Sequence, residues 1–287
     1  MSGLAPIIVW MTEQTVGMSE PTPVQIAGEA CGVRVRISTD TESLRPTLEA
    51  LLPPGWRNHP VDEYVVDPER EVPHFTLITD DGLEYLLKRD DVLLARAELE
   101  IALHVFDAQL RAYIALHSPD RVFVHAGVVA HGGRAIIIPG RSFTGKTTLV
   151  AELVRAGATY YSDEYAPLDA EGLVHPYPKP LSIRLDGRIG TDHDVATFGG
   201  SPGTEPIPVG LVVVTQYKPG ATWEPQALSS GEAVLALLSN TVPAQDRPEE
   251  TMHALRQAID DSGAVALAGE RGEAAQVAQH ILASMPG

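Results

Sequence analysis

The sequence predicts an α/β protein, in which a mixed sheet with flanking helices follows a small α+β region. Residues 134–139 are a short apolar, β-branched run that predicts a buried strand. Residues 147–156 follow a glycine-containing turn and carry apolar side chains on one helical face. Residues 122–130 form a second apolar run, and only His131-Gly-Gly133 separates it from the first. This spacing predicts a hairpin, so the sheet is not purely parallel.

The first region, residues 1–118, is predicted to end in a long helix. Apolar side chains recur at three- and four-residue steps from Ala95 to Leu116, and Pro119 then breaks the pattern. Residues 1–25 carry weak periodicity and are predicted to be a loosely held leader. The remaining predicted elements are strands at 33–37, 74–78 and 83–88 and a helix at 43–52. We see no chemistry-bearing motif in this region.

The second domain is predicted to span residues 119–287. Residues 173–184 contain three prolines and predict an edge or irregular segment. Residues 187–206 are rich in Gly, Ser, Asp and Thr and predict a long loop of the kind that often carries function. The other predicted elements are strands at 158–161, 209–215 and 264–268 and helices at 230–238, 250–259 and 273–283.

Composition narrows the class of partner. The chain has 287 residues and a formal net charge of −17, which argues against binding to nucleic acid or to an anionic membrane. Its single cysteine excludes an internal disulfide and fits a reducing compartment. No apolar stretch is long enough to predict a transmembrane helix, and no secretory signal is recognised. We therefore expect a cytoplasmic protein.

A nine-residue segment between the predicted strand and helix carries most of the functional information. It reads Gly-Arg-Ser-Phe-Thr-Gly-Lys-Thr-Thr and fills every fixed position of the phosphate-binding loop pattern G-x-x-x-x-G-K-[ST]. The lysine would reach the terminal phosphates of a nucleotide, the following hydroxyl would contact Mg²⁺, and the helix would direct its positive end at the anion. An ordinary glycine-rich turn is the alternative interpretation. The predicted nucleotide-binding residues are Gly140, Arg141, Ser142, Phe143, Thr144, Gly145, Lys146, Thr147 and Thr148.

An acidic pair and a histidine are the further site candidates. Asp163 and Glu164 end the strand that follows the loop helix, where one carboxylate could hold Mg²⁺ and the other accept a proton from a hydroxyl. A solvated acidic turn is the alternative. His125 lies on the strand before the loop strand, and a structural histidine is its alternative role. Arg141 and Arg184 are open alternatives for neutralising transferred charge.

Together these segments resemble a known family. A histidine on a strand, a Gly-Gly turn, the phosphate loop, a helix ending Arg-Ala-Gly and then Tyr-Ser-Asp-Glu-Tyr are similar to the catalytic domain of HPr serine kinase/phosphorylase. That family is related in fold to ATP-dependent phosphoenolpyruvate carboxykinase. The resemblance is specific over residues 122–169. It implies that Lys146 binds phosphate and that Thr147, Asp163 and Glu164 are metal ligands. It also implies that Asp163, Lys146 and His125 are catalytic.

The resemblance also implies an activity. We expect an ATP- and Mg²⁺-dependent kinase that transfers the γ-phosphoryl group to a hydroxyl, with a serine of a protein or peptide as acceptor. A nucleotide-binding regulatory or assembly module with little catalysis is one alternative, and a small-molecule kinase is another. Relatives in the family are often oligomeric, so a homo-oligomer is an open alternative to a monomer.

Overall fold

The computed structural model describes residues 24–61, 72–80, 82–140, 144–183 and 190–286. Over these residues the protein is a mixed α/β protein with two mixed sheets and six α-helices. Three residues of the predicted phosphate loop, Arg141, Ser142 and Phe143, lie outside the described residues, as does Arg184. Most of the predicted leader and the first part of the predicted 187–206 loop also lie outside them.

The first sheet has six strands in the order β3-β1-β2-β4-β5-β6. Strands β2 and β4 are parallel, and the other neighbours are antiparallel. Helices α1 and α2 pack apolar side chains, among them Leu48, Phe106 and Leu110, against one face of this sheet. The elements are β1 (Val24–Ala30), β2 (Val33–Thr39), α1 (Arg45–Ala50), β3 (Arg57–Asn58), β4 (His74–Asp80), β5 (Glu84–Arg89), β6 (Val92–Ala97) and α2 (Leu99–His117).

The second sheet has the order β10-β7-β8-β13-β15-β14, with β9 also paired to β7. Strand β7 is antiparallel to β8, which confirms the predicted hairpin, whereas β8, β13 and β15 are parallel. A separate two-stranded sheet joins β11 and β12. The elements are β7 (Val122–His131), β8 (Arg134–Pro139), α3 (Lys146–Arg155), β9 (Thr159–Ser162), β10 (Tyr165–Leu168), β11 (Leu181–Ile183), β12 (Thr191–His193), β13 (Val209–Tyr217), β14 (Gln226–Ala227), α4 (Ser230–Leu238), α5 (Pro248–Arg256), β15 (Val265–Arg271) and α6 (Ala274–Ala283).

The second sheet is covered on both faces, which explains why its central strands are apolar on both sides. Helices α3 and α6 bury one face around Leu149 and Ile281, and helices α4 and α5 bury the other around Leu237 and Leu255. Strands covered on both faces read as continuous apolar runs. The two described sheets share no strand, and the division of the chain into domains at residue 118 remains a prediction.

The predicted start of the long helix is wrong. Residues 92–97 form strand β6, which pairs antiparallel with β5, and the helix begins only at Leu99 after an extended Glu98 (ψ 155°). Over so short a segment, the apolar residues fit both the helical and the strand periodicity. Pairing with β5 selects the strand. The leader prediction is also wrong at its end, because β1 begins at Val24. Within the described residues no helix is both long and apolar enough to cross a bilayer.

Candidate functional site

The start of helix α3 is fixed from the last strand of the sheet. Gly145 is the N-cap of the helix and has φ +80°, in the left-handed region that favours glycine. A Cβ at this position would lie only 2.6 Å from Nη2 of Arg271. Arg271 itself is 2% exposed and donates from Nη2 to the Gly145 carbonyl oxygen at 2.8 Å and from Nη1 to the Gly272 carbonyl oxygen at 3.1 Å. The glycine therefore meets both a backbone and a packing requirement.

The other end of the loop is fixed by His125 and Lys146. The His125 Nδ1 lies 2.8 Å from the carbonyl oxygen of Gly140, and the Lys146 Nζ donates to the same oxygen at 2.6 Å. Burial lowers the pKa of His125, and the positive charge of Lys146 lowers it further. A neutral imidazole that donates from Nδ1 is consistent with both the contact and the shift. Burial also lowers the pKa of Lys146, to about 8.

Helix α3 packs unusually close to strand β7 because Gly127 has no side chain. A Cβ on Gly127 would lie 2.5 Å from Cγ2 of Val150 and 4.0 Å from the Cβ of Lys146. Gly127 is two residues from His125, on the strand that neighbours the loop strand β8. The absence of a side chain at 127 thus sets the distance between the lysine and the strand that carries the histidine.

The acidic pair lies in an interruption between two strands and not at the end of the sheet. Both β9, which ends at Ser162, and β10, which begins at Tyr165, pair antiparallel with β7. The Ser162 hydroxyl oxygen accepts hydrogen bonds from the backbone N–H groups of Glu164 at 3.1 Å and Tyr165 at 3.0 Å, which bends the chain between the strands. The Ala126 N–H donates to the Glu164 carbonyl oxygen at 3.0 Å. Asp163 and Glu164 consequently lie level with the start of the phosphate loop.

Asp163 is a buried carboxyl group beside the loop. Its burial raises its pKa to about 7, against the opposing effects of a hydrogen bond from Thr147 and of the charges on Lys179 and Lys146. Its Oδ1 atom is buried and has no hydrogen-bond partner among the described residues. The Thr147 hydroxyl and the Asp163 carboxylate are oxygen donors of the kind that Mg²⁺ prefers. Among the described residues no three metal-ligating side chains (His, Cys, Asp or Glu) are grouped together.

The Glu164 carboxylate forms ion pairs with two basic side chains. Its Oε2 lies 2.8 Å from Nε of Arg111, on helix α2, and 3.4 Å from Nζ of Lys179. Arg111 is also ion-paired with Asp107, one helical turn earlier. The side chains of these four residues are only 10–18% exposed. We call Asp107, Arg111, Glu164 and Lys179 the buried ion-pair chain. Because Glu164 is ion-paired within this chain, Thr147 and Asp163 are the better-suited metal ligands.

A cavity of about 320 Å³ brings most of the predicted site residues together. This volume is at the lower end of the range for small-molecule sites. His125, Lys146, Thr147, Thr148, Asp163 and Glu164 all line it, as the sequence predicts for a common site. The complete lining is His125, Gly145, Lys146, Thr147, Thr148, Asp163, Glu164, Lys179, Ser182 and Ile183.

A second, wider groove of about 970 Å³ lies on the other side of the loop. Gly140 and Thr144 of the loop border it, together with residues near the carboxyl ends of β13 and β15, including Gln216 and Glu270. Carboxyl ends of parallel strands are the usual ligand-binding edge of an open α/β sheet. The loop therefore borders both a small charged cavity and a larger groove.

Three cationic site residues are missing from the sequence-based prediction. Arg111 lies in the region that showed no chemical motif, Lys179 lies in the proline-rich segment, and Arg271 ends the last strand. The only sequence signal for Arg111 is Asp107 four residues earlier, a spacing that many surface helices share. The arginines that the sequence did suggest, Arg141 and Arg184, lie outside the described residues.

Comparison with known proteins adds no family assignment. No protein-family model matches the chain, and no match was found among the curated proteins. The geometry of the two cavities and the charges around them are therefore the basis for a functional conclusion.

Proposed function

We propose that this protein is an ATP-dependent kinase that transfers the γ-phosphoryl group to a hydroxyl. One observation carries the proposal: Asp163, a buried carboxyl group with an unpartnered Oδ1, shares a cavity with Lys146 and Thr147 of the phosphate-loop motif. Burying a carboxyl group costs free energy, and a site that only bound an anion would gain nothing from one.

The chain's own residues account for binding and orientation. The backbone N–H groups at the start of α3 and the ammonium of Lys146 bind the β- and γ-phosphates. The contact of His125 with Gly140 holds the loop against strand β7. The cavity of about 320 Å³ has room for the phosphates and the acceptor group but not for the whole nucleotide. We therefore assign the nucleoside to the groove of about 970 Å³ that Thr144 and Gln216 border.

Asp163 accepts the proton in the transfer step. The acceptor hydroxyl oxygen attacks the γ-phosphorus, its proton passes to Oδ1 of Asp163, and the bond between the γ-phosphorus and the β–γ bridging oxygen breaks. The products are the phosphorylated acceptor and ADP. A carboxyl group whose pKa is about 7 is a better base than one at the ordinary value, although less of it is ionised at neutral pH.

Thr147 would hold Mg²⁺ together with the second carboxylate oxygen of Asp163, because Oδ1 is the proton acceptor. When bound, the ion would neutralise charge on the phosphate oxygens. Glu164, which the sequence also suggests as a ligand, has Oε2 paired with Arg111 and Lys179. We therefore assign Glu164 to the ion-pair chain.

A serine of a protein or peptide is the acceptor that the resemblance to HPr serine kinase suggests. The overall fold that this resemblance implies, a kinase/carboxykinase-like sheet, agrees with an antiparallel β7–β8 hairpin before the loop and an acidic pair after the loop helix. The mixed sheet is compatible with other phosphate-loop folds as well, so the family assignment is part of the proposal.

The test is transfer of label from γ-labelled ATP to serine-containing peptides, with a panel of hydroxyl metabolites as a second set of acceptors. We expect Lys146→Ala and Asp163→Asn to lose transfer, while Asp192→Asn, a change at an exposed carboxyl, retains it. Transfer that persists in both site variants would refute the assignment. Nucleotide binding without transfer to any acceptor would favour a regulatory module, and labelling of metabolites alone would favour a small-molecule kinase.

A further inference from the structure

Lysine is rare in this protein, and its distribution is uneven. The chain has only four lysines, at positions 88, 146, 179 and 218. Two of them, Lys146 and Lys179, line the same cavity of about 320 Å³. Lys146 belongs to the phosphate-loop motif, whereas no motif accounts for Lys179.

The backbone at Lys179 is held in place from several sides. Pro178 and Pro180 flank it and restrict the chain. The Tyr160 hydroxyl, on β9, donates to the Lys179 carbonyl oxygen at 2.7 Å, and Tyr160 is 1% exposed. The buried Tyr160 side chain and the two prolines therefore fix the backbone position of Lys179 relative to the cavity.

The ammonium of Lys179 lies near Glu164, but it is not the nearest cation to that carboxylate. Arg111 lies closer to Glu164 Oε2, at 2.8 Å, than Lys179 does, at 3.4 Å. An ammonium has three N–H donors and can keep one near a carboxylate while the others turn elsewhere. The charge on Lys179 also acts on Asp163, the carboxyl group beside the loop.

We propose that Lys179 is a further phosphate-contacting residue, which binds the terminal phosphoryl group together with Lys146. Its ammonium is oriented through Glu164 by Arg111 of helix α2, so that the first region of the chain contributes to the site through a positioning residue. The inference rests on the proposed kinase function and specifies how the transferring group is bound. The competing explanation is that Lys179 only balances Glu164.

The two explanations predict different nucleotide selectivity. We would measure binding of ADP and of the β,γ-imido analogue of ATP to the full chain by calorimetry with Mg²⁺ present. Contact with the terminal phosphoryl group predicts that Lys179→Met weakens binding of the imido analogue by about tenfold or more and leaves ADP within about twofold. Lys179→Arg should retain most of the difference between the two nucleotides. Lys146→Met should weaken both, and Lys88→Met, in the first sheet, should weaken neither.

A variant of Arg111 tests the positioning step. Arg111→Met should reduce affinity for the imido analogue more than for ADP, and Arg111→Lys should restore part of the difference. A purely structural role predicts equal loss for both nucleotides, or a loss that follows thermal stability. Either of those results would overturn the inference while leaving the kinase proposal intact.

A measurement on the unaltered protein covers the case in which the variants do not fold. An amine-reactive label, with peptide mass spectrometry, reports the accessibility of each of the four lysines. We expect the imido analogue to protect Lys146 and Lys179, and ADP to protect Lys146 alone. Equal protection of Lys179 by both nucleotides, or no protection by either, would reject a contact with the terminal phosphoryl group. Failure of the unaltered protein to bind any nucleotide would instead reject the kinase proposal itself.

Discussion

Arg271 Nη2 donates a hydrogen bond of 2.8 Å to the carbonyl oxygen of Gly145, which links strand β15 to the residue that precedes the loop helix. The same guanidinium lies 5.7 Å from the centre of the Tyr217 ring. Burial lowers the pKa of Arg271. Because the buried guanidinium of Arg271 donates to backbone carbonyl oxygens, we infer that it holds the loop in place.

We expect Arg271→Met to destabilise the protein by about 1–3 kcal/mol, because two carbonyl oxygens lose a charged donor. Nucleotide affinity should fall with it, since Gly145 loses its support. Urea unfolding and calorimetry measure the two effects. Arg256→Met, at a largely exposed side chain on α5, is the matched control and should change stability by less than about 0.5 kcal/mol. An unchanged unfolding midpoint in Arg271→Met would contradict the expectation.

Gly127→Ala tests the close packing of α3 on β7. The new Cβ would lie 2.5 Å from Val150, so we expect a loss of about 1–3 kcal/mol from overpacking and weaker nucleotide binding as Lys146 moves. Val150→Ala in the same chain should recover part of the loss. Gly231→Ala, in helix α4 with nothing within 4 Å, should instead be neutral or stabilising by up to about 1 kcal/mol. Equal stability of the two alanine variants would argue against the packing constraint.

Asp163 should make stability depend on pH in a defined window. Its pKa is about 7 in the folded protein against 3.8 ordinarily, so between these values the folded state keeps a proton that the unfolded chain has released. This group therefore favours folding at low pH, and that contribution disappears as the pH rises through 7. Asp163→Asn removes the effect, and its stability relative to the unaltered protein should rise by up to about 4 kcal/mol between pH 4 and 8.

Unfolding by urea at a series of pH values, without nucleotide or Mg²⁺, measures this difference. Asp192→Asn, at an exposed carboxyl on β12, should reproduce the curve of the unaltered protein. A stability difference for Asp163→Asn that is constant from pH 4 to 8 would show that the carboxyl group titrates normally.

His125 should be neutral at pH 7 and should act through the loop. Its pKa is lowered from 6.5, so an NMR titration of the ring should place the midpoint below that value. Because the Nδ1 contact holds Gly140, His125→Phe should weaken nucleotide binding by about 3- to 10-fold. His125→Asn, whose amide can occupy the position of Nδ1, should stay within about twofold. A similar loss in both variants would assign His125 to packing.

Local patterns predicted most of the second sheet and named several residues that line one cavity. The β7–β8 hairpin, helix α3 and strand β13 follow from apolar runs bounded by glycine turns, and the structure confirms them. The loop motif and the acidic pair indicated which residues converge, but the pair lies beside the loop because β9 and β10 both pair with β7. His125 joins them from inside β7, where its Nδ1 contacts the carbonyl oxygen of Gly140.

Features that depend on pairing between distant segments were not predictable. Residues 92–97 are a strand because β5 lies beside them, and this pairing outweighs their helical periodicity. Arg111 belongs to the site because helix α2 packs near the Asp163–Glu164 turn. Arg111 and Glu164, which form an ion pair there, are 53 positions apart in the chain. No local pattern carries such information, and a charged residue on a helix is expected to face solvent.

The turn between β9 and β10 gives two adjacent carboxyl groups separate tasks. Consecutive side chains near a strand diverge, and here Asp163 interacts with Thr147 while Glu164 interacts with Arg111. Inserting or deleting one residue in this turn would exchange their surroundings, presenting the longer acid to the nucleotide and the shorter one to the helix. The length of this segment should therefore tolerate far less variation than the chemical identity of either acid alone would suggest.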